Sequence, residues 1–67
     1  MLIRSKAENT LVDFNGSGIL WKSGYVCCAC GGVLVPLKNS GNTQDTYDII
    51  EKVLNAYLNG DRLLTIE

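Results

Sequence analysis

The run Tyr25-Val26-Cys27-Cys28-Ala29-Cys30 carries no charged side chain, and its Cys-rich second half keeps both of its faces apolar. Successive side chains of a strand point to opposite sides, so Tyr25, Cys27 and Ala29 would share one face and Val26, Cys28 and Cys30 the other. A strand apolar on both sides needs cover on both, from its own fold or from a partner subunit. Charge is absent from the whole stretch between Ser23 and Leu37. That stretch is nevertheless shorter than the roughly 20 apolar residues of a membrane helix, and Gly31-Gly32 and Pro36 break it, so no membrane partner is expected.

Cover has to be found within 67 residues. A chain of this size is a single domain, residues 1–67, and buries only about 60% of the surface exposed when unfolded, which leaves its core marginal. Oligomerisation, a metal or disulfides usually close such a gap. Six basic and seven acidic side chains give a net charge of -1, and there is no histidine. The absence of a basic footprint argues against binding to nucleic-acid phosphates. Residues 1–8, Met-Leu-Ile-Arg-Ser-Lys-Ala-Glu, lack the long apolar core of a secretory signal, so the expected location is the cytoplasm.

On either side of the cysteine run, period-two segments alternate with glycine-bearing turns. Leu2-Ile3-Arg4 reads as a short strand. Thr10-Leu11-Val12-Asp13-Phe14 places Leu11 and Asp13 opposite Val12 and Phe14, the pattern of a half-buried strand. Asn15-Gly16 predicts a hairpin turn into Gly18-Ile19-Leu20-Trp21-Lys22, because both residues accept positive φ. Lys22-Ser23-Gly24 is a second tight turn, and Gly31-Gly32 leads into Val33-Leu34-Val35-Pro36-Leu37. Proline has no N–H for a ladder, so that strand is expected to be an edge or to leave the sheet at residue 36.

After Asn39-Ser40-Gly41-Asn42 the apolar period lengthens, and Tyr47, Ile50, Val53 or Leu54, and Tyr57 or Leu58 predict one stripe of a helix. Asn42 or Thr43 is the expected N-cap and Asn59-Gly60 the end. Leu63-Leu64-Thr65-Ile66 reads as a last strand. The expected fold is α+β: an antiparallel meander of four to five strands with one carboxyl-terminal helix packed on one face. The opposite face, carrying some of Leu11, Ile19, Trp21, Tyr25, Cys27 and Leu34, would remain wet in a monomer, so a homo-oligomer closed through it is the expected assembly.

Chemistry is sparse. Without histidine, a cysteine or serine nucleophile lacks its usual general base, which points away from an enzyme. Cys27, Cys28 and Cys30 lack the paired spacing of a zinc site and the Cys-x-x-Cys spacing of a redox motif. They read first as small strand hydrophobes, with a metal or redox module as the alternative. Gly16-Ser17-Gly18 and Gly31-Gly32 match no phosphate-binding loop, so no cofactor is implied. An aromatic beside a cation is what stacking on a base and pairing a phosphate require, and Arg4, Trp21, Lys22, Tyr25 and Lys38 are the candidates for a small anionic ligand at a subunit interface.

The segments Ile3-Arg4-Ser5, Leu11-Val12-Asp13-Phe14 and Ile49-Ile50-Glu51-Lys52-Val53-Leu54 before Asn59-Gly60-Asp61 give the chain a layout that resembles a group of short uncharacterised proteins encoded by bacterial phages and mobile elements. The resemblance implies a small protein that acts stoichiometrically on a host system such as antiviral defence, in the host cytoplasm. Two mechanisms fit that expectation: sequestering a nucleotide-like signal, or blocking a host protein. A purely structural or assembly role is the further alternative.

Overall fold

The computed structural model describes residues Met1–Glu67. Six strands and one helix follow in the order β1 (Leu2–Ser5), β2 (Thr10–Asp13), β3 (Ile19–Lys22), β4 (Tyr25–Cys30), β5 (Val33–Asn39), α1 (Gln44–Asn59) and β6 (Leu63–Ile66). The α+β class and the local strand assignments agree with the sequence. Their assembly does not: the strands form two three-stranded sheets, β2-β1-β6 and β3-β4-β5, in place of one meander. β1 pairs antiparallel with β2 and parallel with β6, whereas β3, β4 and β5 are wholly antiparallel. Four-residue strands bury too little in a single wide sheet, and folding one three-stranded layer against the other gives the cysteine strand its inner cover.

The turn chemistry explains where the chain divides. Ser23 and Gly24 both have positive φ (52° and 86°), as do Gly31 and Gly32 (58° and 82°), and these two-residue turns close the β3–β4 and β4–β5 hairpins. Asn15-Gly16, predicted as a hairpin turn, lies instead on the crossover between sheets: β2 and β3 do not pair. A dipeptide that permits a hairpin does not impose one when Val12 and Phe14 are needed in a different layer from Ile19.

Ile3, Val12, Phe14, Val26, Cys28, Leu37, Ile49, Val53 and Ile66 form the core, drawn from both sheets and the helix. Alternation places Val26 and Cys28 inward, as their spacing predicts. Between Val26 and Cys27 the β4–β5 register shifts, so that Leu37 and Lys38 together oppose Val26. This bulge turns Leu37 fully into the core. The Ser5 hydroxyl donates to the Leu37 carbonyl and the Thr10 hydroxyl to the Pro36 carbonyl (3.1 Å). These bonds satisfy β5 carbonyls at the edge that Pro36 marks, and tie the two sheets together.

Helix α1 begins where Asn42 Oδ1 accepts the Asp45 N–H (3.1 Å). Thr43 occupies the N-cap position but makes no capping bond with its side chain. Gly60, at φ 78°, ends it, and the Asp61 N–H reaches the Ala56 carbonyl (3.0 Å), as expected for a left-handed C-terminal cap. The buried stripe is Ile49, Val53 and Ala56. This corrects the sequence expectation, since Tyr47, Leu54, Tyr57 and Leu58 are exposed. No helix is long and apolar enough to cross a membrane.

Candidate functional site

Helix α1 is apolar over a wider arc than the core uses. At 100° per residue, Ile49, Val53 and Ala56 cover one part of its circumference, and Tyr57, Ile50, Leu54, Tyr47 and Leu58 continue the arc to one side of them. Asp48, Lys52, Asn55 and Asn59 occupy the far side. There, Lys52, Asn55, Asn59 and Asp61 line a polar hollow near Leu64 of β6. The surplus apolar arc instead overhangs β3.

Two hollows follow each other along that seam. The first, of about 310 Å³, lies among Phe14, Ile19, Ile50, Val53, Leu54 and Tyr57, with Gly16 and Ser17 at its rim. Tyr57 stands edge-on to Phe14 there, with ring centroids 5.7 Å apart and planes at 84°, a favourable quadrupole arrangement. The second, of about 280 Å³, lies among Trp21, Thr43, Thr46, Tyr47 and Ile50. Ile50 belongs to both, so they form one groove. No charged side chain lines either hollow.

The floor of the groove ends at an open backbone edge. The tight turn at Ser23-Gly24 makes Lys22–Tyr25 the closing pair of its hairpin, and the Ala29 N–H donates to the Gly18 carbonyl (2.8 Å). In an antiparallel ladder the hydrogen-bonded pairs alternate, so Gly18, Leu20 and Lys22 direct their backbone groups toward β4. Those of Ile19 and Trp21 point the other way, where no strand follows. An apolar groove beside an unpaired strand edge is a docking geometry for an extended chain.

Of the residues singled out for an anionic ligand, Arg4 lies in one sheet, and the other four occupy two adjacent cross-strand rows of the other sheet, divided between its two faces. Arg4 lies on the outer face of β1 and donates to Thr65 Oγ1 (2.9 Å). Lys22 and Tyr25 face each other across β3 and β4, on the side of that sheet away from the core. Trp21 and Lys38 alone meet a shared cluster. Trp21 Nε1 donates to the Ser40 carbonyl (3.1 Å), and Lys38 Nζ lies 3.7 Å from Asp45. The buried Ser40 hydroxyl lies 2.8 Å from Asp45 Oδ2, and its N–H donates to the Gly24 carbonyl (2.9 Å). This network fastens the start of α1 to the β3–β4 turn, so Trp21 forms one wall of the groove in a fixed orientation.

The surface expected on a single exposed sheet face is likewise divided. Leu11 belongs to the outer face of the β2-β1-β6 sheet, Ile19 and Trp21 to the groove, and Tyr25, Cys27 and Leu34 to the outer face of the other sheet. The three thiols are free, and no group of three metal-ligating side chains comes together. Burial raises the Cys28 thiol above its ordinary value, and the neighbouring Cys30 adds to the effect. Burial also raises Cys27, against a smaller opposing pull from Lys22. Both shifts favour the neutral thiol, which is the weak nucleophile and weak ligand.

Of the groove's residues only Trp21 is among the binding candidates the sequence offers, and the apolar spacing of α1 assigns Tyr47, Ile50, Leu54 and Tyr57 to the helix's buried side. The signal for the groove is the width of the apolar arc, which exceeds what one packed stripe needs. Compared with known proteins, the chain matches no family model, no curated protein and no solved structure.

Proposed function

We propose that the protein is a non-catalytic binding module that acts by occupancy, holding a protein partner in the groove between α1 and β3. The observation that carries this reading is the uncharged groove itself, set beside the outward backbone groups of Ile19 and Trp21. Main-chain pairing along the strand edge would give affinity, and the two hollows would select side chains. In the phage or mobile-element setting that the sequence resemblance implies, such a module acts stoichiometrically, by the assembly it forms and not by turnover. Sequestration of a small anion is the less favoured mechanism, since no cation lines the groove, Lys38 is paired with Asp45, Lys22 is on the opposite face of its sheet and Arg4 belongs to the other sheet.

A Leu54→Glu variant tests the reading, because Leu54 lines the groove and is substantially exposed. Its circular dichroism should match the wild type, while every stoichiometric protein complex formed by the wild type should weaken at least tenfold. A panel of nucleotides should produce no heat on calorimetric titration. Nucleotide binding, or complexes indifferent to the glutamate, would overturn the proposal.

A further inference from the structure

We infer that the groove's occupant is a second copy of this chain, joined through antiparallel pairing of β3 with its own image about a two-fold axis at Leu20. This inference rests on the groove reading and names the partner. Because Ile19 and Trp21 carry the outward backbone groups, the two copies align with Ile19 opposite Trp21 of the other protomer, and Leu20 opposite its own counterpart. That register makes both outward residues of each strand pair fully. It sets Lys22 opposite Gly18, so the edge's one charged side chain does not meet its image. The two β3-β4-β5 sheets become one continuous six-stranded sheet.

A two-fold axis perpendicular to that sheet leaves both helices on the same side, with their exposed arcs turned toward each other. Trp21, Tyr47, Leu54, Tyr57 and Leu58 are 43%, 66%, 46%, 49% and 75% exposed. With about 200 Å² for each large side chain when free, their exposed portions come to roughly 560 Å². A standard interface covers about 800 Å² per partner, and the strand edge with Ile19, Leu20 and Ile50 makes up most of the difference. An uncharged surface also contains nothing to repel its own copy, whereas a charged foreign segment would find no counter-charge there. Self-pairing thus covers the aromatic arc, removes the free edge and enlarges the marginal core in one step.

The decisive experiment uses Leu20, which points away from the core and meets only itself at the axis. Light scattering of the wild type at high micromolar concentration should give twice the 7.3 kDa chain mass. Leu20→Lys and Leu20→Glu should each run as monomers, with self-association weakened at least tenfold by like charges placed opposite one another. An equimolar mixture of the two should return to the dimer mass, which also shows that both variants fold. A monomeric wild type, or a dimer that neither charge weakens, overturns self-pairing through β3. A monomeric wild type that still captures a host protein, with capture lost in Leu54→Glu, overturns self-pairing alone. A dimer unaffected by Leu20→Lys and Leu54→Glu alike overturns both this inference and the groove reading.

Discussion

At the scale of single residues, the fold depends on a few side chains whose positions the chain's spacing only partly reveals. Leu37 is fully buried because the β4–β5 bulge sets it, with Lys38, opposite Val26. Leu37→Ala should cost about 3 kcal/mol, measured as a lower urea midpoint with unchanged slope. Cys28 is as deeply buried, and its thiol is held neutral. Its folded proton affinity exceeds that of the unfolded chain, whose thiol titrates near its ordinary value of 9.0. The associated stability is therefore complete below about pH 9 and is lost as pH rises through the folded value. Cys28→Ala should be less stable than wild type by about 1 kcal/mol at neutral pH, and the gap should narrow in denaturation measured under reducing conditions above pH 9. A gap that widens with pH would contradict the assigned cause.

Among elements, the helix shows most clearly how local rules and packing divide the work. Its end was legible: Asn59-Gly60 permits the left-handed cap, and Gly60 adopts φ 78°. Gly60→Ala should destabilise the fold by roughly 1 kcal/mol, the cost of a Cβ in that conformation, as read by thermal unfolding. The side of the helix that faces the core was not legible in the same way. Several apolar residues recur at three- and four-residue steps, and more than one set of them makes an acceptable stripe. Ile49, Val53 and Ala56 form the buried one because Val12, Phe14, Ile66 and the inner face of β4 offer a surface that small and branched residues can fill closely. The bulkier Tyr47, Leu54 and Tyr57 then fall beside β3. The same limit applies to Asn15-Gly16, whose dihedral preferences suit a hairpin and serve equally well in a crossover.

For the molecule as a whole, size is the governing quantity. Thirteen of 67 residues are buried, a small core for a chain that leaves Trp21 and Tyr57 nearly half exposed and Tyr47 two-thirds exposed. Under the proposed pairing, association and folding are linked by mass action. The melting temperature should therefore rise with each tenfold increase in protein concentration for the wild type and stay flat for Leu20→Lys, in calorimetric scans over the same range. A wild-type melting temperature independent of concentration would speak against the dimer.

By itself, the amino-acid sequence determined what its periods and turn residues can encode: short strands, Ser23-Gly24 and Gly31-Gly32 as hairpin turns, Pro36 at an edge, one helix ended by Gly60, and a cysteine strand with Val26 and Cys28 on one face. These are local properties, set by dihedral preference and by the alternation of side chains. Only the tertiary structure decided that the strands divide into two sheets, that β6 lies parallel to β1, and that the helix turns its aromatic arc toward a free edge. Those features depend on which apolar surfaces, distant in sequence, fill space together. A pattern of hydrophobic residues shows that they must be covered; the packing of the whole chain determines by what.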